Sequence, residues 1–297
     1  MSAAVAQLEH VDEAADREFR WLMPFLHPAE IDATLNQNPI RLVDSRTPNQ
    51  VLVEVRQRRA RLAPYAMESL RPLQAVQAVA VEAVRSGDVF EREYASKCDV
   101  SFALAPLLAL LAPQPLADMD YVAELQGGLR AEPDEVADFA FSFPEGAIPE
   151  PAVIGNTVMF STPAPSVYVS PVPTYRPFAG GYEVIARVEP RPNYLFVAQI
   201  DGLGGRLMLI NGVHHVLALL RAGRRFAPVV MRHAMAVEEL GLPQTSLLTQ
   251  AGAPRPALVS DFLGDCAVRV RRRRTGIATQ VLLQTTQLMF PVGRLGS

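Results

Sequence analysis

Eight prolines fall between Phe143 and Pro177, and they constrain the fold of this chain more than any other feature. They stand at positions 144, 149, 151, 163, 165, 171, 173 and 177. Because proline lacks a backbone N–H and clashes with the preceding helical turn, this stretch cannot form an ordinary helix. It is predicted to be an extended connector with short edge strands, for example over residues 153–160. The chain is therefore divided into a region 1–142, a connector 143–179 and a domain 180–297.

The charges are distributed unevenly along the 297 residues. Residues 1–150 carry 13 Lys and Arg against 24 Asp and Glu, whereas residues 151–297 carry 15 against 7. An acidic half is thus joined to a basic half, and such asymmetry indicates an interaction surface. A hydrophobic content of 49% with 20% charged residues excludes a disordered chain and allows a sizeable core.

The sequence gives no sign of a membrane or of secretion. The first 20 residues are acidic and lack the apolar core of a signal peptide. The most apolar run, Phe102–Ala112, has about half of the roughly 20 residues that a membrane span needs. Cys98 and Cys266 are far apart and do not have the spacing of metal ligands. A cytoplasmic protein with no membrane partner and no metal site is therefore expected.

The region 1–142 is predicted to be mostly helical. Apolar residues recur at helical spacing between Leu73 and Val84, and residues 51–61 form a charged amphipathic stretch. The apolar run 102–111, which ends shortly before Pro113, is predicted to be a buried helix.

After Gly180 and Gly181 the pattern changes to that of a mixed α/β domain. Strands are predicted over residues 182–188, 194–200, 206–210 and 227–231, helices over 211–222 and 234–240, and a terminal hairpin from 267–273 and 279–290. Asn211 is a suitable N-cap residue for the first of these helices, and Gly223 suits the position after its last turn. The fold class predicted for the chain is α+β or α/β, with a helical N-terminal region.

The strand 206–210 leads through a glycine turn directly into a helix. The first N–H groups of a helix have no partners within it, and the helix dipole adds positive charge there, so this end can bind a phosphate or another anion. Gly212 permits close approach to the backbone, and two histidines add side-chain donors. The candidate ligand-binding residues are Asn211, Gly212, Val213, His214 and His215. Alternatively, the histidines are satisfied polar groups at the start of the helix.

This segment resembles the ParB/sulfiredoxin superfamily over about residues 182–231. The residues that carry the resemblance are Gly212, His214, Ala218, Gly223, Pro228 and the pair Val229-Val230. The resemblance implies a bacterial protein with a ParB/sulfiredoxin-like α/β domain whose glycine turn binds nucleotide phosphates. It also implies a nucleotide with Mg²⁺ as the candidate cofactor, and nucleotide hydrolysis or phosphoryl transfer as candidate activities.

Two positions depart from the pattern of that superfamily. Val213 stands where sulfiredoxins have a reactive cysteine, so sulfiredoxin chemistry is not expected, and His215 stands where arginine is usual. A neutral imidazole offers one donor, whereas arginine offers a planar fork of donors. The candidate catalytic residues are His214, His215 and Glu183. A ParB-like nuclease is a third hypothesis, for which no metal-binding carboxylates can be named.

A run of arginines near the C-terminus indicates a different kind of function. It consists of Arg269, Arg271, Arg272, Arg273 and Arg274 on a predicted strand, where successive side chains point to opposite faces. These residues form an exposed basic patch or protect an edge strand from aggregation. The patch can contact nucleic acid or an acidic protein, which would make the protein a non-catalytic binding module. It can equally dock on the acidic half, within the chain or in another subunit of a homo-oligomer.

Overall fold

The structure, a computed structural model, describes a little over two thirds of the chain. These residues are 16–37, 40–42, 47–65, 68–73, 75–87, 90–91, 95, 99–129, 133–141, 152–154, 157–162, 167–169, 174–185, 188–190, 194–241, 246–248, 255–273 and 279–284. The described helices are α1 (Pro28–Gln37), α2 (Pro48–Arg59), α3 (Ala75–Arg85), α4 (Met119–Gly128), α5 (Pro133–Ala140) and α6 (Val213–Arg221).

The described strands are mostly short. They are β1 (Asp16–Trp21), β2 (Ile40–Leu42), β3 (Val100–Pro106), β4 (Leu116–Asp118), β5 (Ala152–Ile154), β6 (Thr157–Thr162), β7 (Val167–Val169), β8 (Thr174–Phe178), β9 (Gly181–Ile185), β10 (Val188–Pro190), β11 (Phe196–Ile200), β12 (Arg206–Asn211), β13 (Phe226–Ala234), β14 (Val268–Arg273) and β15 (Thr279–Gln284). The mixed α and β fold class is confirmed.

The chain forms two compact units, and their boundaries differ from the predicted division. The first unit combines residues 1–142 with 192–275, and the second combines 143–191 with 276–297. The second unit begins where the proline-rich connector was predicted to begin. Residues 1–142 do not form a unit by themselves, because strands from that region pair with strands from the C-terminal half.

One four-stranded sheet of the first unit has the order β12-β11-β13-β3. Strand β11 is antiparallel to β12 and parallel to β13, and β13 is antiparallel to β3. The prediction of a helix over 102–111 is wrong, since this run supplies β3 and a single 3-10 turn, Leu107–Ala109. A short apolar run is compatible with a buried helix or a buried strand, and pairing with β13 decides in favour of the strand.

The other four-stranded sheet of the first unit has the order β2-β14-β1-β4. Strand β14 is antiparallel to both β1 and β2. The predicted hairpin between 267–273 and 279–290 is wrong, because β14 pairs in this sheet while β15 pairs with β6 of the second unit. Of the two alternatives for the arginine strand, the edge strand is excluded, since β14 has a neighbour on each side.

Several elements agree with the sequence predictions. Helices α2 and α3 overlap the stretches predicted from helical periodicity, and β11, β12, α6 and β13 follow one another as predicted. The predicted helix over 234–240 is wrong, because these residues end β13 and then form only one 3-10 turn, Val237–Leu240. None of the described helices has the length and apolar character required to cross a membrane.

The second unit consists of small antiparallel sheets. Their strand orders are β15-β6-β5, β10-β7 and β8-β9. The strands predicted over 153–160 correspond to β5 and β6. Short strands in this part of the chain follow from the prolines, which interrupt backbone hydrogen bonding every few residues.

Candidate functional site

The N-cap residue of helix α6 is a glycine and not the predicted asparagine. Asn211 is the last residue of β12, and its Nδ2 donates a hydrogen bond to the carbonyl oxygen of Tyr194 (3.1 Å). The N-cap is Gly212, whose φ of 96° is one that residues with a side chain rarely adopt. A Cβ at this position would overlap Cδ2 of Leu195, a buried residue. Glycine is therefore required here for packing, whether or not a ligand approaches.

His214 connects the start of α6 to the start of α4. Its Nε2 accepts a hydrogen bond from the backbone N–H of Asp118 (3.1 Å), and its ring meets the ring of Tyr121 edge to face at 5.3 Å. Since Nε2 is the acceptor, the neutral ring carries its proton on Nδ1. Asp118 caps α4, because its Oδ1 accepts the N–H of Tyr121 (2.9 Å).

His215 connects the same helix to α5. Its side chain is buried, with 5% of its surface exposed, and its ring packs on Phe139 at 4.9 Å. Burial and, to a smaller extent, the neighbouring His214 together lower the pKa of His215 to about 4. His215 is therefore neutral near pH 7 and adds no positive charge to the start of α6. Val213, the first residue of the helix, is buried as well.

The two adjacent histidines thus point to different helices, and each has a packing partner. Next to His214, the carboxylate of Asp118 accepts a hydrogen bond from Arg17 (3.2 Å), and Arg17 also bonds Glu124 (2.8 Å). These contacts support the alternative that the histidines are satisfied polar groups. Sequence reasoning missed Asp118 and Arg17, although an aspartate directly before a helix is a recognisable N-cap signal.

The arginine strand β14 lies between the N-terminal strand β1 and the short strand β2. Arg269 donates two hydrogen bonds to Glu18 of β1, from Nε (3.0 Å) and from Nη2 (2.6 Å). Docking of the arginines on the acidic half within the chain, one of the alternatives, is therefore confirmed for Arg269. Arg271 is exposed, and its partners in register are Glu18 on β1 and Arg41 on β2.

The alternation of β14 separates its arginines. Val268, Val270 and Arg272 occupy the face directed to the core, where both valines are buried and Arg272 is half-buried. Arg269, Arg271 and the backbone position of Arg273 belong to the other face, and Arg20 of β1 lies opposite Arg269. Arg41 of β2 lies opposite Arg271 on the same face. We call the face with these five arginine positions the basic face. Arg274 lies outside the described residues.

The remaining candidate residue, Glu183, lies on β9 of the second unit. There it forms an exposed ion pair with Arg176 across the hairpin (3.4 Å). Within the described ranges, no group of three or more His, Cys, Asp or Glu side chains is arranged to hold a metal ion. The nuclease hypothesis therefore receives no support from carboxylate geometry.

Comparison with protein-family models, with curated proteins and with solved structures yields no match. The resemblance to the ParB/sulfiredoxin superfamily, which rests on Gly212, His214 and the residues that follow them, remains a prediction.

Proposed function

We propose that the protein is a non-catalytic module that binds the phosphate backbone of nucleic acid through the basic face. The observation that carries the proposal is the register of β1, β14 and β2. It places five arginine positions on one face of the sheet, against the two carboxylate positions Asp16 and Glu18. The five positions are Arg20, Arg41, Arg269, Arg271 and Arg273.

The position of β14 in its sheet also supports this role. Because β14 has backbone partners on both sides, its arginines are held on a hydrogen-bonded sheet and not on a loop. A guanidinium group matches two oxygens of a phosphate, so a row of arginines along a strand suits a chain of phosphates. Arg271 provides the exposed guanidinium at the centre of the row.

Replacing Arg269 and Arg271 together with glutamine should weaken DNA binding about tenfold or more near physiological salt. Each lost phosphate contact should also reduce the slope of log K against log salt by about 0.9 for duplex DNA. Fluorescence anisotropy with a short labelled duplex, measured over a series of salt concentrations, provides both quantities. The matched control is Arg176→Gln, which removes one exposed, ion-paired arginine from the second unit.

The same measurement distinguishes nucleic acid from an acidic protein as the partner. A polyglutamate peptide of comparable charge serves as the competitor. Displacement of the peptide by DNA at much lower concentration supports the proposal. Wild-type protein that binds the peptide and not DNA, or a double variant that binds DNA as tightly as the wild type, contradicts it.

A second candidate function is the binding of a nucleotide phosphate, with or without Mg²⁺, at the start of α6. One observation favours it: Asn211, Gly212 and His214 all keep some exposure at the start of the helix. This hypothesis predicts that ATP or CTP raises the melting temperature and that His214→Ala removes the rise. An unchanged melting temperature at millimolar nucleotide would reject it.

A further inference from the structure

The fork of Arg269 is already occupied by a carboxylate of the same chain. Both hydrogen bonds end on Glu18, one on each carboxylate oxygen, and Arg20 Nε lies 3.5 Å from Glu18 Oε1. The hydrogen bonds from Arg269 hold the pKa of Glu18 below its ordinary value, and the charges of Arg269, Arg20 and Arg271 act in the same direction. Glu18 is therefore ionised near pH 7, with three arginines around it.

This arrangement is the one in which arginine binds a phosphate. The edge of the guanidinium formed by Nε and one Nη donates two parallel hydrogen bonds, and these fit two oxygens of a carboxylate or a phosphate equally. A phosphate that uses Arg269 must take the place of Glu18. The exchange is accessible, because the pair lies at the surface with about half of the Arg269 side chain exposed.

We propose that Glu18 is the specificity-determining residue of the basic face, acting as a built-in competitor for the Arg269 fork. A single anion gains one contact and must displace Glu18 to obtain it. A chain of phosphates contacts Arg271 and the neighbouring arginine positions at the same time, so the added contacts outweigh the displacement. Glu18 thereby selects extended polyphosphate chains over isolated anions. This inference rests on the proposed function.

The test is the variant Glu18→Gln, which keeps the shape of the side chain and removes its charge. Its affinity for the DNA duplex should rise about three- to tenfold, because DNA no longer has to displace a carboxylate from Arg269. The affinity for inorganic orthophosphate, a single anion, should rise by a larger factor than the affinity for DNA. A purely structural role of Glu18 would instead weaken the binding of both.

Two controls separate this effect from a general change in charge. Glu183→Gln removes the same charge from an exposed Arg–Glu pair in the second unit and should leave DNA binding unchanged. In a background that carries Arg269→Gln, Glu18→Gln should lose most of its effect, because the fork that it frees is gone. If Glu18→Gln does not fold, Glu18→Asp replaces it, since the shorter side chain withdraws from Arg269.

The outcomes for Glu18 and for the basic face are distinguishable. If Arg269→Gln with Arg271→Gln abolishes DNA binding while folded Glu18→Gln binds as the wild type does, the role of Glu18 is overturned and the proposed function stands. An equal gain from Glu183→Gln also overturns the role of Glu18. If neither the wild type nor Glu18→Gln binds DNA, both proposals fail.

Discussion

Replacing Asp261 with alanine should lower the free energy of unfolding by about 3–5 kcal/mol, the usual cost of breaking a buried ion pair. Asp261 and Arg255 are both buried and are joined by two hydrogen bonds of 2.7 Å. Arg255 also donates to the carbonyl oxygens of Ala63 and Pro256, and Asp261 accepts the N–H of Leu258. Without Asp261 the guanidinium stays buried with its charge uncompensated.

Denaturant unfolding followed by the fluorescence of Trp21, the single tryptophan, measures this loss. Trp21 is fully buried in the first unit and should report its unfolding. The control is Glu54→Gln, which breaks the exposed pair with Arg58 one helical turn away (3.3 Å) and should cost only about 0.3–0.5 kcal/mol. A loss below about 1 kcal/mol for Asp261→Ala would contradict a structural role for the pair.

The second large effect is expected for Gly212→Ala. Placing a residue with a side chain at φ of 96° should lower the free energy of unfolding by about 1–2 kcal/mol. Forcing its methyl group against buried Leu195 should lower it by about 1–3 kcal/mol more. Together these predict a loss of about 2–5 kcal/mol, again measured by denaturant unfolding. The variant is thus a test of folding and not of ligand binding at the start of α6.

Gly223→Ala is the matched control, because it separates backbone strain from overlap. Gly223 has a similarly positive φ of 77°, but an added Cβ meets no atom within 4 Å. Gly223→Ala should therefore lower the free energy of unfolding only by the backbone strain, about 1–2 kcal/mol. Equal losses of unfolding free energy for the two variants would show that Leu195 moves aside without cost and that its packing does not require glycine at position 212.

Helices and strands of this chain were predictable from the sequence where hydrophobic periodicity or a glycine turn is enough to specify them. The order of strand, glycine turn, helix and strand over residues 206–231 follows from periodicity and from two glycines, and α3 follows from its apolar spacing. The N-cap was assigned one residue too early, because Asn211 satisfies the capping preference but is retained in β12 by its strand partner Phe196.

The candidate sites were less predictable, because their properties depend on residues far away in sequence. The neutrality of His215 follows from burial against Phe139, and the acceptor role of His214 follows from Asp118. The pairing of Arg269 with Glu18 joins residues that are 251 positions apart. Composition indicated that the acidic and basic halves could attract each other, but it did not identify the two strands that meet.

Short-range patterns in the sequence were sufficient to predict α3, the order of elements around α6, and an arginine strand whose side chains alternate between two faces. The pairing of this strand on both sides within a sheet, and the occupation of the Arg269 fork by Glu18, became visible only in the folded chain. Helix periodicity and turn geometry depend on neighbouring residues, whereas strand pairing and burial depend on contacts between distant segments.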